Sequence, residues 1–228
     1  MPPSSKQRLL ITLPLIIALC AAIFYSVSIG FADLYGYSPR QHLKHWQKTG
    51  HTPTPDELEQ ALSSIHTAIS KDPRNAEYRD MQGLLNYYQA INSYQQGDQA
   101  LFIEYTQQAL ASYQQATRLR PNWPYSWANL ALMKAMLQQY DSEYAQALTQ
   151  AMAFGPWEND VNIVVAEAGM LGWFQLNSQI QDSLIKNIER GIKRNGKSIK
   201  QRLSAINKLG LACIYIEESK QRKRLCGF

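Results

Sequence analysis

Cysteine, glycine, proline and charged residues are all scarce in this chain of 228 residues. Three cysteines are too few for a disulfide-scaffold protein or a four-cysteine zinc site. Twelve glycines and ten prolines exclude collagen-like and low-complexity sequence, and a hydrophobic fraction of 45% excludes a disordered chain. Charged residues make up 18% of the chain. The length suits one ordinary domain with an appendage.

The sequence also lacks any sustained alternation of apolar and polar residues, so we expect no β-sheet and predict an all-α fold. No Ser-His-Asp or Cys-His arrangement can be assembled without assuming proximity between distant residues. We therefore expect a protein that is not an enzyme and that holds no cofactor.

The longest hydrophobic run covers residues 9–29 and contains no charged side chain. A helix of this length spans about 30 Å, the thickness of the hydrocarbon core of a bilayer. Lys6 and Arg8 precede the run, and this bias keeps the N-terminus in the cytoplasm. The predicted order is a cytoplasmic N-terminus at residues 1–8, a single-pass inner-membrane anchor at 9–30, a juxtamembrane segment at 31–53 and a periplasmic main domain at 54–228.

Two features weaken this topology. Arg40, Lys44 and Lys48 follow the run on its other side, although they lie farther from its edge than the preceding cations do. Gly30 and Ala32 offer small residues at the spacing of a signal-peptide cleavage site, but the apolar region of a signal peptide usually runs about 7–15 residues. An uncleaved anchor is the preferred interpretation, and a cleaved signal peptide is the alternative.

One spacing of residues occurs three times in the main domain. A small residue is followed by an apolar residue four positions on, by alanine three further on, and by proline five further on. Offsets of four and three place the first three positions on one helical stripe, and the proline marks where the helix has stopped. The copies are Ala61, Ile65, Ala68 and Pro73; Ala109, Tyr113, Ala116 and Pro121; and Tyr144, Leu148, Ala151 and Pro156, the last with its first position relaxed.

With this spacing the chain resembles the tetratricopeptide (TPR) repeat family over about residues 58–156. Trp127, Leu130 and Ala131 fall on the positions of that family's first helix, whereas Gln82 stands where the preceding unit should have a small residue. The resemblance implies a TPR-like α-solenoid of about three and a half helix pairs on the single transmembrane helix.

The last part of the chain is predicted to complete this array. Apolar-periodic stretches at residues 157–175 and 178–194 predict a third helix pair. Residues 198–216 predict a terminal capping helix, because an end repeat has no neighbour to cover it.

The resemblance also implies a groove that binds a peptide. In the TPR family, positions close to the first-helix tryptophan face the concave side of the array. The residues at those positions here are Arg79, Asp80, Tyr125 and Asn129. A side-chain amide and a guanidinium in such a groove could hold a peptide backbone or a carboxylate.

Charge is distributed unevenly along the chain. Residues 181–228 hold 12 Lys and Arg against 4 Asp and Glu, whereas residues 31–180 hold 9 against 14. Lys193, Arg194 and Lys197 form a candidate basic patch for an acidic partner or a polysaccharide, although a solvated helical face is the commonest origin of such a run. Nucleic acid is not expected as a partner, because the basic end lacks interleaved aromatic residues for base stacking.

Residues 191–198, GIKRNGKS, fit the phosphate-loop pattern GxxxxGK[ST]. A phosphate loop requires a buried strand directly before it, whereas the preceding stretch here is amphipathic and helical. The preferred interpretation is a helix end, a basic turn and a new helix capped by Ser198.

Cys213 and Cys226 are the only thiols outside the predicted anchor. In an oxidising compartment they form an even pair that could close a short loop, whereas in a reducing cytosol they would be unrelated residues. We favour a disulfide between them if the main domain is exported.

Three histidines, His42, His45 and His51, cluster after the hydrophobic run. Histidines three positions apart could share a helical face and bind zinc or copper. A partly exposed juxtamembrane helix is the preferred interpretation, and no metal site is predicted.

More narrowly, the layout resembles the VpsP-type proteins of exopolysaccharide biosynthesis clusters. The resemblance rests on the anchor followed by ADLY at residues 32–35, on NAEY at 75–78 and on RPNWP at 120–124. It implies a membrane-anchored scaffold that binds a protein partner in an envelope polysaccharide assembly. Two alternatives stay open: a periplasmic chaperone or cytochrome-maturation factor, and a protein that binds an anionic polysaccharide directly.

Overall fold

The computed structural model describes residues 5–227, so the predicted cytoplasmic segment at residues 1–8 lies partly outside the described residues. Between residues 5 and 227 the chain forms α-helices and one short 3-10 turn at Trp173–Gln175, without a β-strand, and the predicted all-α class is confirmed. The helices are α1 Ser5–Thr49, α2 Pro55–Lys71, α3 Ala76–Gln95, α4 Gln99–Leu119, α5 Pro124–Met136, α6 Ser142–Phe154, α7 Asn159–Leu171, α8 Ser178–Ala205, α9 Leu209–Tyr215 and α10 Lys220–Cys226.

The helices fall into two compact units, Met1–Met81 and Gln82–Phe228, which divide within α3. The sequence instead predicts a boundary between residues 53 and 54. That boundary and the segment assignments that depend on it stay predictions. We describe the first and second units separately.

Helix α1 is a single helix of 45 residues that includes both the predicted anchor and the predicted juxtamembrane segment. Its apolar part is long and hydrophobic enough to cross a membrane, with a mean hydropathy of 2.4 over 18 residues, and none of that window is buried. By length and composition alone, a signal sequence would meet the same description. The structure thus contains a candidate single membrane span near the N-terminus.

The second half of α1 packs against α2 in the first unit. Trp46 of α1 and Ile65 of α2 are both at most 2% exposed, which places them in the core of this unit. Gly36 permits close contact with the start of α3, because a Cβ atom at Gly36 would lie only 2.8 Å from Cε1 of Tyr78. The polar half of α1 therefore belongs to a packed helical unit.

The three copies of the repeat occupy equivalent places in their helices. All nine stripe positions, from Ala61 to Ala151, are at most 2% exposed. Helices α2, α4 and α6 each end two residues before the proline of their copy. The small residue that the sequence expects at Gln82 is instead Gly83, where a Cβ atom would lie 2.8 Å from Cζ of Tyr113.

The second unit is built around α5, which packs against α4, α6 and α7, while α8 packs against α7 and α10. Buried alanines such as Ala131 and Ala168 occur in α5–α7 beside larger side chains such as Leu148, whereas the buried apolar side chains of α8 are leucines and isoleucines, for example Ile188 and Leu203. Two buried asparagines join α7 to α8, because Asn162 Nδ2 donates to Asn187 Oδ1 over 2.8 Å.

The sequence predicts a helix end and a new helix capped by Ser198, and a break does occur close to that position. Two helical segments of α8 meet at a kink at Asn195, whose φ and ψ are −146° and 65°, but the capping residue differs from the predicted one. The asparagine caps the second segment, since its Oδ1 accepts from the backbone N–H of Ser198 over 3.2 Å. The predicted capping helix at residues 198–216 is also interrupted, because Asn207 adopts a φ of 55° between α8 and α9.

Candidate functional site

A cleft of about 400 Å³ lies between α6 and the first half of α8, entirely within the second unit. Its apolar lining comes from Met152 and Ala153 at the end of α6 and from Ile180 in the first turn of α8. Its polar lining comes from hydroxyl, amide and cationic side chains, namely Thr149, Asn177, Gln179, Ser183, Lys186 and Arg190. Six of the nine lining residues are polar and three are apolar, so the cleft offers mainly polar contacts beside a small apolar surface.

Local capping fixes the end of α8 that borders the cleft. Asn177 caps the helix, and its Oδ1 accepts from the backbone N–H of Ile180 over 3.0 Å. Gln181 holds the preceding 3-10 turn, because its Nε2 donates to the carbonyl oxygen of Trp173 over 2.9 Å. The first turn of α8 is therefore tied to the 3-10 turn that precedes it.

The charge of the cleft comes from cations spaced along α8. Lys186, Arg190 and Arg194 follow one another at intervals of four residues, so they share one side of the helix. Lys186 and Arg190 line the cleft itself. The acidic residues of the same segment, Asp182 and Glu189, are not part of the lining that the structure describes. The cleft therefore presents positive charge to a ligand.

Trp157 lies beside these cations and is 57% exposed. The guanidinium carbon of Arg190 is 5.9 Å from the centroid of its indole ring, and Arg194 donates a hydrogen bond to its backbone carbonyl oxygen. Burial lowers the pKa of Arg190, yet an arginine remains a cation at neutral pH. Its buried Nε has no acceptor among the described residues. The indole ring and the carbonyl oxygen thus hold two cations at one end of the cleft.

The predicted basic patch begins beyond this cleft. Lys193, Arg194 and Lys197 are all exposed on α8. Sequence reasoning missed Lys186 and Arg190, since it considered only the densest run of cations. The spacing of four residues from Lys186 to Arg194 is the signal that could have identified them.

The residues of the predicted groove belong to different units. Arg79 and Asp80 lie half-buried on α3 in the first unit, and burial lowers the pKa of Arg79. Tyr125 and Asn129 lie half-buried on α5 in the second unit. Burial raises the pKa of Tyr125 to about 12, and its hydroxyl donates to Glu158 Oε2 over 2.7 Å. Their shared role in a groove stays a prediction.

The histidines after the hydrophobic run contact other side chains of the first unit. His42 stacks on Trp46 with 5.6 Å between the ring centroids, and His51 Nε2 lies 3.2 Å from Glu57 Oε2. Within residues 5–227 no group of three or more His, Cys, Asp or Glu residues is placed to hold a metal ion.

The phosphate-loop pattern at residues 191–198 lies inside α8. A phosphate loop binds through backbone amides at the end of a strand, and no strand occurs in the part of the chain that the structure describes. Gly191 is instead a packing position, because a Cβ atom there would lie 3.0 Å from Cδ1 of Ile199.

A disulfide joins Cys213 of α9 to Cys226 at the end of α10. Cys213 is buried and 6% exposed. The remaining cysteine, Cys20, is a free exposed thiol in the apolar part of α1. The disulfide therefore closes the C-terminal end of the second unit.

No protein-family model and no curated protein matches the chain. The cleft can bind an anionic group through Lys186 and Arg190, and an apolar group against Met152 and Ile180.

Proposed function

We propose that the chain is a membrane-anchored, TPR-like scaffold that serves as an accessory protein in exopolysaccharide biosynthesis or export. It acts by binding a protein partner and is not an enzyme. One observation carries the proposal: α1 is continuous from an exposed apolar segment to a segment that packs on α2. A helical unit is thereby attached directly to the anchor.

We further propose that α1 is an uncleaved span with its N-terminus in the cytoplasm and the helical units in the periplasm. Lys6 and Arg8 before the apolar run support this orientation. The disulfide between Cys213 and Cys226 is consistent with it, because disulfides form and persist in oxidising compartments.

The proposed solenoid has about three and a half helix pairs. Burial of the stripe in all three copies of the repeat supports this arrangement, as does the packing of α5 against α4 and α6. A stacked array of this kind offers extended surfaces for binding a partner.

The mechanism that follows is recruitment. An anchor confines the helical units to the membrane surface, which raises their effective concentration near any membrane-embedded partner. The scaffold would then hold a segment of a polymerase, ligase or export component, and its own residues would need no catalytic chemistry.

Chemical cross-linking of the full chain in intact membranes tests this function. We expect a small, reproducible set of membrane-embedded components of one polysaccharide assembly. Capture of many unfolded proteins or of an apocytochrome would instead identify a chaperone or cytochrome-maturation factor. We expect the double variant Arg79→Ala/Asn129→Ala to fold normally and to lose capture; unchanged capture would reject the groove prediction.

A second candidate function is direct binding of an anionic polysaccharide. The exposed side chains of Lys193, Arg194 and Lys197 favour it, because three cations lie within five positions of one helix. Retention on an anionic polymer that weakens with salt, and that is lost when these three residues are neutralised, would identify this function.

A further inference from the structure

We propose that the cleft between α6 and α8 binds an acidic peptide segment that also carries an apolar side chain. The inference rests on the proposed function, because it names the ligand class of a protein-binding scaffold. It assigns recognition to Lys186 and Arg190, which lie outside both the predicted groove and the predicted basic patch.

The charge of the cleft lining is of one sign. Lys186 and Arg190 line it, and the described lining contains no carboxylate that would neutralise them. Hydrogen bonds between a cationic side chain and a carboxylate are roughly twice as strong as neutral ones. An acidic side chain is therefore the group that this end of the cleft complements.

The cleft also has an apolar lining, contributed by the end of α6 and the first turn of α8. Met152, Ala153 and Ile180 present aliphatic and thioether groups to the cleft. Methionine adapts its shape to an incoming side chain, and arginine, methionine and tryptophan are enriched at protein interfaces. An apolar side chain next to an acidic one would bury surface against these residues.

The hydroxyl and amide groups of the lining complete the match to a peptide. Thr149, Ser183 and Gln179 supply donors and acceptors suited to the N–H and C=O groups of an extended backbone. The volume of about 400 Å³ lies within the range of ligand-binding pockets.

A polysaccharide is less well matched to the same cleft. The described lining contains no aromatic side chain on which a sugar ring could stack. The nearby indole of Trp157 is already in contact with Arg190. The lining thus favours a peptide over a glycan, and the experiment compares the two.

The test uses the full chain in nanodiscs of zwitterionic lipid and fluorescence anisotropy. The probe is a short labelled peptide of alternating Glu and Leu. One matched probe replaces Glu by Gln, another replaces Leu by Ser, and an oligomer of galacturonic acid serves as an unlabelled competitor. We expect saturable binding of the Glu–Leu probe that weakens about tenfold with either replacement.

Two variants of the protein locate the binding site. Lys186→Gln/Arg190→Gln should weaken probe binding about tenfold, and Ala153→Glu should do the same by placing a carboxylate in the cleft. The control Lys193→Gln/Lys197→Gln removes the same charge from the same helix and should leave affinity unchanged. Circular dichroism checks that each variant is folded.

Several results would overturn the inference. Equal weakening of probe binding by both double variants would show non-specific attraction to a basic helix. If the Glu–Leu probe did not bind at all, the cleft would not be a site for an acidic peptide. Equal binding of the Leu-to-Ser probe, together with displacement by the galacturonate oligomer, would identify a glycan site. Membrane cross-links that persist in Lys186→Gln/Arg190→Gln would reject the cleft but retain the scaffold, whereas no cross-links in the unmodified chain would reject the scaffold itself.

Discussion

Helices α5–α7 and α8–α10 belong to the same compact unit, but different residues hold them together. Buried alanines are frequent in the first set, where Ala131 and Ala168 are fully buried beside larger side chains such as Leu148. A Cβ atom on Gly169 would lie only 2.5 Å from Cδ2 of Leu184, so α7 and α8 are in close contact there. The second set uses larger aliphatic side chains on one face, cations on the other and a disulfide at its end.

This difference follows from how many neighbours each helix has. Helix α5 packs against α4, α6 and α7, so residues around most of its circumference must be small or apolar. Helix α8 buries one face against α7 and exposes the other, which makes it amphipathic and free to carry charge. The inner helices thus provide packing, whereas the outer helix provides the charged wall of the cleft.

The largest predicted effect comes from truncating a buried side chain in helices α5–α7. Leu148→Ala in α6 should lower the free energy of unfolding by about 2–5 kcal/mol, because it leaves a cavity. The control is Ile214→Ala in α9, where the side chain is 72% exposed. It should change the free energy of unfolding by less than about 0.5 kcal/mol. Denaturant unfolding of the full chain in micelles measures both. Similar values for the two variants would contradict the comparison.

The next largest effect comes from removing the disulfide of helices α8–α10. Cys213→Ser/Cys226→Ser should destabilise the chain by about 3 kcal/mol, because the disulfide closes a loop with a sequence separation of 13. A reducing agent should lower the melting temperature of the unmodified protein to about that of the variant. It should leave the melting temperature of the variant unchanged. An equal response of both proteins would show that the bond does not stabilise the unit.

A matched pair of glycines separates close packing from helix propensity. Gly169→Ala should destabilise the protein by about 1–3 kcal/mol, because the new methyl group overlaps Leu184. Gly210→Ala in α9 meets no heavy atom within 4 Å and should stabilise it by about 0.5–1 kcal/mol. Thermal unfolding gives both values. Effects of the same sign would contradict the proposed difference in packing.

The smallest predicted effect involves an ion pair between α7 and α8. Glu167 of α7 lies 3.2 Å from Arg202 of α8, and burial raises the pKa of the Glu167 carboxyl despite this partner. A carboxyl whose pKa is higher in the folded state than in the unfolded state binds its proton more tightly in the fold. It therefore destabilises the fold increasingly as the pH rises above the pKa of the unfolded chain, which is near 4.3.

Glu167→Gln should therefore have a melting temperature that rises, relative to that of the unmodified protein, between pH 4 and pH 7. Asp182→Asn, on the exposed face of α8, is the matched control for replacing a carboxylate by its amide. A relative melting temperature of Glu167→Gln that falls over the same range would show that Arg202 outweighs burial.

Much of the helical architecture was predictable from sequence, because it depends on local patterns. The stripe of Ala109, Tyr113 and Ala116 predicts a buried helix face, and all three are buried. Asp98 and Asp141 are residues of a type that favours helix N-termini, and each caps a helix: their carboxylates accept hydrogen bonds from the backbone N–H groups of Leu101 and Tyr144.

The kink and the cleft were not predictable in the same way. Asn195 and Ser198 are both good capping residues, and only the packed structure determines which one caps the second segment of α8. The cleft depends on how α6 and α8 are placed together, so no single segment encodes it. Lys186 and Arg190 were overlooked because neither lies in the dense run of cations that follows them.

The central claim is that the chain is an anchored scaffold whose helical units lie in an oxidising compartment. Mass-spectrometric mapping of thiols, in protein trapped at harvest and kept unreduced, tests it most directly. The account predicts a peptide pair joined through Cys213 and Cys226, with Cys20 free to react once the protein is extracted from the membrane. Finding Cys213 and Cys226 both free and readily alkylated would contradict it and place the helical units in the cytoplasm.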